Sequence, residues 1–559
     1  MTAAEDLRLD VNALDYGILA VYFAVVVAIG LLARRSIATS EDFFLSGRAL
    51  PAWVTGLAFI SANLGALEIL GMAANGAKYG LATVHFYWIG AVPAMVFLGL
   101  FMMPFYYSSR VHSVPEYMRR RFNAPTHVVN ALSFAVAQLL TAGVNLYALA
   151  LVIRSLLGWP QWVAIVVSAA FVLAYITLGG LSGAVYNEVL QFFVILAGLI
   201  PLVVIGLHRT GGWGGLQDKL DDPSFFHTWH GTQAPGWSNP LGDWIGIVFG
   251  LGFALSFGYW TTNFAEVQRA LSAKDLSAAR RTPLIGAIPK VFIPGLVVIP
   301  GLIAVAIVPQ MRGEDADYNQ AIPYLMRELL PNGVLGVALT GLLAAFMAGM
   351  AANVSGFNTV LTYDLWRPYV VRNRDDRYYL RVGRLATVAG VLIGIGTAFI
   401  AAGFDNIMDY IQSLFSYFNA PLFAVFILAL FWKRASPWSG FAGLLAGIAA
   451  ALVFHEVGPK LGYFYPGGRV LAADQVNAQM VNFYGAIAAV VVAWIVMALV
   501  TTVTPPRPRE ELRGLVWGEP DPDSPDLAEA TAVRAWWERP VVVGAVAISL
   551  TVVLSVIFR

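Results

Sequence analysis

The chain of 559 residues contains no cysteine. Disulfides and thiolate metal sites are excluded, and cysteine usage says nothing of the redox compartment. Charge is also scarce. Asp, Glu, Lys and Arg are 12% of the residues, against roughly 25% in a soluble domain. The charges nearly cancel, to +1, which leaves no broad basic field for nucleic acid. The opening residues Met1-Thr2-Ala3-Ala4-Glu5-Asp6 carry no basic group, so no cleavable signal is expected and the first apolar run should stay in the membrane. In place of charge, 58% of the chain is hydrophobic, gathered in long continuous runs from end to end. That pattern excludes a soluble multidomain chain. Because the runs do not alternate, it also excludes a closed barrel.

A spanning helix needs about 20 mostly apolar residues. Fourteen are expected, near 14–34, 52–76, 82–107, 127–155, 160–178, 183–207, 242–268, 283–309, 334–364, 381–402, 405–432, 436–455, 480–502 and 540–558. Basic residues crowd every second gap: Arg34, Arg35 and Arg48; Arg110 and Arg119 to Arg121; Arg269, Lys274, Arg280 and Arg281; Arg367 to Arg384; Lys433 and Arg434; Arg507 to Arg539. The alternate gaps hold only Lys78, Arg154, Arg209, Lys219, Arg312, Arg327, Lys460 and Arg469. The rich side is cytoplasmic by the positive-inside bias, so both termini are expected outside the cytoplasm of a multi-pass cell-membrane protein. Residues 208–240 form an external loop. Residues 503–538, with Pro505-Pro506 and seven acidic residues from Glu510 to Glu529, form a solvated cytoplasmic linker before a last helix at 539–559.

Polar groups inside a span are costly and therefore informative. Ser61-Ala62-Asn63-Leu64-Gly65-Ala66-Leu67-Glu68 interrupts the second span, as an unwound helix would. The plainer alternative is a kink with Glu68 facing a neighbouring helix. Ser256-Phe257-Gly258-Tyr259-Trp260-Thr261-Thr262-Asn263 interrupts the seventh. Two interrupted helices five spans apart point to an inverted-repeat transporter. Lys290 follows Ile288-Pro289 inside a span and must face a partner, a wet cavity or, by snorkelling, the membrane edge. Gln412 can donate and accept, which suits hydroxyl ligands or an interhelical bond.

Several stretches resemble sodium:solute symporters: Asp42-Phe43-Phe44-Leu45-Ser46-Gly47-Arg48, Val114-Pro115-Glu116-Tyr117-Met118-Arg119-Arg120-Arg121-Phe122, Leu178-Gly179-Gly180-Leu181-Ser182, Val267-Gln268-Arg269 and Phe431-Trp432-Lys433-Arg434. They occur in the family's order over about residues 12–455. The resemblance implies an all-α, leucine-transporter-like core of two inverted five-helix repeats at 51–207 and 241–433. An extra helix and linker at 1–50 precede it, and peripheral helices at 434–502 follow. Within the family the sodium/sugar cotransporter branch is the most similar. The resemblance makes Tyr259 an inner-gate tyrosine beside Trp260, Lys290 a substrate-site lysine and Gln412 a sugar contact. It sets Asn63 and Glu68 on the broken first core helix. Tyr87 stands where the branch has Glu, Glu68 where it has Gln or His, and Ser256 where one bacterial type has Asn. The pocket is therefore not that of a matched glucose or galactose carrier.

The resemblance also implies a sodium site built from the carbonyls of Ser61, Leu64 and Ala345 and from two adjacent hydroxyls. The hydroxyl positions fall on Ala348 and Gly349, so two oxygen ligands are missing. Hard cations need oxygens to replace their water. Ser355 lies about 10 Å further along the helix and cannot substitute. Glu188 matches an acidic residue near that site. With Glu68, His85 and Glu188 buried, coupling is expected to be weakened or moved to H⁺. Uncoupled facilitation, a carboxylate or amino-acid cargo, and a solute sensor stay open. No enzyme constellation, resident cofactor, nucleic-acid partner or obligate protein partner is expected. The partners are the bilayer, a small polar solute, sugar foremost, and Na⁺ or H⁺ as coupling ion.

Overall fold

The computed structural model describes residues 8–33, 46–108, 111, 113–220, 222–229, 241–312, 316–404, 406–465, 469–471, 476–519 and 535–559. Residues 42–45, Arg34, Arg35, Arg110, His112, His230, Arg534, loop residues 231–240 and the acidic run 521–529 lie outside the described residues. So do the side chains of Leu178, Gly179, Gly180 and Ser182.

In hydrocarbon every backbone N–H and C=O must find its partner within the segment, so the apolar runs become helices. They are α1 (Ala13–Ala33), α2 (Ala52–Asn63), α3 (Leu67–Val84), α4 (Phe86–Tyr107), α5 (Val114–Arg121), α6 (Ala124–Leu157), α7 (Gln161–Thr210), α8 (Gly246–Thr262) and α9 (Phe264–Leu271). They continue with α10 (Leu276–Ile307), α11 (Ala321–Leu329), α12 (Val334–Val370), α13 (Asp376–Ala401), α14 (Ile407–Phe431), α15 (Pro437–Leu461), α16 (Ala478–Val503) and α17 (Pro540–Ile557). Among the described residues the only sheet is a hairpin, Tyr463–Tyr465 antiparallel to Arg469–Leu471.

Among the described residues, eleven helices are long and apolar enough to cross a membrane. The bent pair α2 and α3 makes a twelfth, and α8 and Gln161–Leu173 are shorter apolar helices. The expected spans 160–178 and 183–207 correspond to the apolar stretches Gln161–Leu173 and Gly183–Thr210, which follow each other with no helix break between them. Gly179 and Gly180 alone do not stop a helical ladder, and one helix runs through Gln161–Thr210. Its contour is about 75 Å by helical rise, against about 30 Å of hydrocarbon.

Burial ranks the helices. The most apolar stretch of α12 is 89% buried, whereas those of α1, α15, α16 and α17 are 28% or less. α12 packs against α6, α7 and α13, and α17 lies at the rim. α1 is docked by one carboxylate. Asp15 Oδ1 accepts from Gly333 N and Gly336 N, both at 2.7 Å, which places negative charge on the open N–H groups at the start of α12.

The linker after α16 is not wholly solvated, as a chain so acidic suggested. Leu512, Leu515 and Val516 are buried, and Tyr117 Oη donates to Leu515 O at 2.5 Å. Those apolar residues pull residues 504–519 onto the face formed by α5 and the end of α14. The same face holds Arg121, fully buried, whose guanidinium donates to Ala429 O and Trp432 O at 2.9 Å and to Ala435 O at 3.2 Å. Burial pushes this group down to about 10, so it stays charged at neutral pH. Its three bonds satisfy carbonyls at and just beyond the end of α14. Replacing Arg121 by Met should cost at least about 3 kcal/mol, since bonds to charged donors are the strong ones. Thermal melting in detergent should show a clear drop, while the exposed Arg119→Met should melt like the parent. Equal melting of the two would contradict the role given to Arg121.

Candidate functional site

Two helices stop inside the apolar interior. α2 ends at Asn63, and Leu64 leaves the helical region at φ −73°, ψ 45°. α3 resumes at an angle of 58°. α8 ends at Asn263, φ −71°, ψ 107°. Asn263 Oδ1 then caps α9, accepting from Ala265 N at 3.0 Å and from Gln138 Nε2 at 3.1 Å. Both breaks occur where the sequence interrupts its apolar runs with amides, hydroxyls and glycine.

Lys290 reaches these breaks from α10. It is completely buried, so its charge must be matched. Nζ lies 2.8 Å from Glu68 Oε1 and donates to Asn63 Oδ1. It also sits 5.0 Å from the Trp260 ring centre and 5.1 Å from that of Tyr87, within cation–π range. Snorkelling is thereby ruled out, and Glu68 faces the neighbouring helix α10 through this pair. Tyr87 Oη donates to Glu68 Oε2, so both oxygens of that carboxylate are held.

An ammonium has only donors, and this fixes everything downstream. Asn63 must turn its oxygen to Lys290, so its NH₂ faces away and donates to Tyr259 Oη at 3.0 Å. Tyr259 then has its proton free and donates it to Glu266 Oε1 at 2.8 Å. The chain Lys290, Asn63, Tyr259, Glu266 runs in one direction from cation to anion, the arrangement in which successive bonds polarise one another.

Beside this chain lies a cavity of about 40 Å³, room for a few waters. Asn63, Glu68, Tyr87, Ser256, Tyr259, Trp260 and Gln412 all line it, with Leu67, Met72, Phe86, Met408 and Phe415 among the apolar walls. Of the eight expected contact residues, only Lys290 is not on its wall. It stands behind Glu68 and Asn63. Gln412 Oε1 is buried with no hydrogen-bond partner among the described residues, an acceptor available to a ligand at the cavity wall. Tyr259 stacks on Phe415, ring centres 4.8 Å apart, and so closes one side.

The far face of the α2–α3 break is filled differently from the face on the cavity. Asn145, on α6, inserts its side chain between the α2–α3 break and α12. Its Oδ1 accepts from Ala66 N at 2.9 Å, and Nδ2 donates to Thr141 O at 3.3 Å. A Cβ on Gly65 would stand 2.6 Å from Asn145 Oδ1, and one on Gly349 2.9 Å from Asn145 Cγ, so both glycines are needed for the amide to fit. The Ser61 carbonyl accepts from Leu64 N at 3.0 Å, while Ser61 Oγ has no partner among the described residues. Ala345 and Ala348 are buried on α12 and offer no side-chain oxygen. Ser355 Oγ donates to Gln268 Oε1 at 3.2 Å instead. Glu188 is paired with Arg269 through two bonds, both residues almost fully buried. His85 Nε2 meets Thr228 O at 2.8 Å, and its ring packs on Trp229.

Residues 43–447 match the sodium:solute symporter family. The chain belongs to that family. A sodium/glucose cotransporter of Vibrio parahaemolyticus is 30% identical over 464 residues, 78% of this chain and 84% of its own. Sodium/glucose cotransporter 1 of Ovis aries is 31% identical over 473 residues, 78% of this chain and 70% of its own. A solved Na⁺-coupled sialic acid symporter superposes with a TM-score of 0.75 over 89% of this chain and 99% of that one, at 17% identity, which shows a shared fold.

For a sodium:solute symporter, two residues at this site were missed in the sequence. Asn145 is a lone amide in the run Gly143-Val144-Asn145-Leu146, and its cost in hydrocarbon could have marked it. Glu266 is a carboxylate three residues beyond Asn263, hidden because that segment reads as the end of a span entering a basic gap. The Asn145 fit gives a test. Gly349→Ala should cost about 1–3 kcal/mol by overpacking, and nearly nothing in an Asn145→Ala background, where the space is open. Detergent melting curves of the four proteins measure the coupling. Additive losses would mean that Asn145 does not fill this space.

Proposed function

We propose that this symporter carries a small neutral polyhydroxy solute, a sugar by the kinship of its relatives, by alternating access together with a cation. The carrying observation is the cavity at the junction of two interrupted helices, lined by seven residues able to stack on or hydrogen-bond a sugar. In this reading Trp260 and Tyr87 offer ring faces, Gln412, Ser256 and Asn63 serve hydroxyls, and Tyr259 gates the inner side. Lys290 is already matched by Glu68 at 2.8 Å. An anionic cargo would find no spare positive charge there, so the ion pair favours a neutral solute over a carboxylate. A cavity of about 40 Å³ must enlarge to admit a sugar ring, and unstacking Tyr259 from Phe415 is the natural opening step, as for other gated sites.

The topology that goes with this reading takes the apolar stretches Gln161–Leu173 and Gly183–Thr210 as separate crossings, which makes fourteen with both termini outside the cytoplasm, and has inverted repeats that put the α2–α3 and α8–α9 breaks at corresponding positions. The cation is Na⁺ by family membership. Against a full family-type ion site stand Ala348, Gly349 and the Asn145 amide, which leave few oxygens at the first break. A transport role, without enzymatic chemistry, accounts for all of these groups.

A thermal-shift screen of the purified protein over sugars, polyols, amino acids and carboxylates tests the cargo, since a ligand that binds the native state raises its melting temperature. Neutral sugars or polyols should stabilise and carboxylates should not; stabilisation by carboxylates alone would overturn the reading. Gln412→Ala should weaken binding of the stabilising sugar about tenfold, the loss of roughly one good hydrogen bond. Calorimetric titration measures it, and an unchanged affinity would take Gln412 out of the site.

A further inference from the structure

The hydrogen-bond chain that starts at Lys290 leaves the cavity and ends at Glu266. That carboxylate is 2% exposed. Oε1 accepts from Tyr259, but Oε2 has no hydrogen-bond partner among the described residues. The charged groups around it are already committed. Lys290 pairs with Glu68, and Arg269 pairs with Glu188 through two bonds while also donating to Ala265 O at 2.6 Å. This buried network thus holds three carboxylates, Glu68, Glu188 and Glu266, against two cations, Lys290 and Arg269. One negative charge is left over, and the residue without a cationic partner of its own is Glu266.

Other elements packed on α9 supply nothing to cancel it. α2 carries no ionisable residue, and α12 carries none before Tyr363. α4 presents Tyr106, whose hydroxyl is committed to Thr261 O at 2.9 Å. The groups that face Glu266 are therefore Tyr259 from α8, Lys290 from α10, Glu188 from α7 and Arg269 from α9 itself. A buried charge left unmatched is removed most simply by a proton.

We propose that Glu266 is a proton-binding group of the transport cycle, taking up one H⁺ as solute binds and releasing it toward the basic-rich side. The step is a single proton transfer: H⁺ from water adds to Oε2 of the carboxylate, giving the neutral acid, and no other bond is made or broken. Its consequence reaches the cavity through Tyr259. While Glu266 is ionised, Tyr259 is held by a charge-assisted bond, roughly twice as strong as a neutral one. Once Glu266 is neutral, that hold weakens and the Tyr259 hydroxyl can turn to a solute hydroxyl at the cavity wall. By linkage, solute binding then favours protonation to the same extent.

This inference rests on the solute site proposed above, and its test separates the two. In wild type, glucose affinity should strengthen about tenfold as pH falls from about 8 to 5, a typical coupling, and glucose should drive proton uptake into proteoliposomes loaded with a pH dye. Glu266→Gln, which mimics the neutral acid, should bind at pH 8 as wild type binds at pH 5, lose the pH dependence and lose proton uptake, while glucose counterflow remains measurable. Infrared pH-difference spectra read the group without any solute. A protonated-carboxyl band should appear in wild type on acidification and be absent from Glu266→Gln. The same band in both proteins, or uptake driven by Na⁺ alone with no solute-evoked proton movement, overturns the inference and leaves the solute site standing. Glucose-independent infrared agreement with no binding of any sugar would instead remove the cargo reading and keep the proton site.

Discussion

A single buried ammonium organises this site. Lys290 has no access to water, and an unmatched charge in a low-dielectric interior costs several kcal/mol. Its match comes from both sides of the α2–α3 break, Asn63 before it and Glu68 after it. The break cannot heal into a continuous helix without pulling one of these partners away. The lysine is itself presented by α10, a helix with Pro283, Pro289 and Pro294 inside it, each of which removes a backbone donor. One charge therefore ties two irregular helices together and sets the direction of every hydrogen bond that follows, through Asn63 and Tyr259 to the α8–α9 junction.

The two faces of the α2–α3 break are treated in opposite ways. One face is polar and charged and opens on the cavity. The other is packed shut by Asn145, which takes the Ala66 N–H and lies flush against Gly65 and Gly349. An amide accomplishes what a backbone partner would, because a neutral group that donates and accepts can satisfy freed peptide groups without bringing a charge into hydrocarbon. Further along α12, Ser355, Asn358 and Thr359 are joined by hydrogen bonds to Gln268 of α9 and Thr387 of α13. Polar side chains in this interior are thus arranged as connected strings rather than as isolated costs.

Much of this was legible in the residues. Long apolar runs foretell helices because hydrocarbon permits little else, and the breaks were visible as Asn63-Leu64-Gly65 and as Asn263. Lys290, Glu68 and Gln412 were visible because polar groups in spans are rare. The continuity of the helix Gln161–Thr210 was not, since two glycines have the composition of a turn but do not force one. The packing of Leu512, Leu515 and Val516 was masked by the acidic residues around them. Glu266 and Asn145 were missed for a further reason. Their roles are relational: neither residue has meaning until the fold sets Tyr259 beside one and Gly349 beside the other, and sequence spacing of 7 and 204 residues carries no trace of that.

The central claim is that the cavity beside the Lys290–Glu68 pair is where the cargo sits. A structure of the protein in nanodiscs with a saturating neutral sugar tests it most directly. The account predicts sugar density between Trp260, Tyr87 and Gln412, with Lys290 still paired to Glu68 and Tyr259 turned from Phe415. Density elsewhere in the protein, or a sugar held by Lys290 with Glu68 displaced, would contradict it.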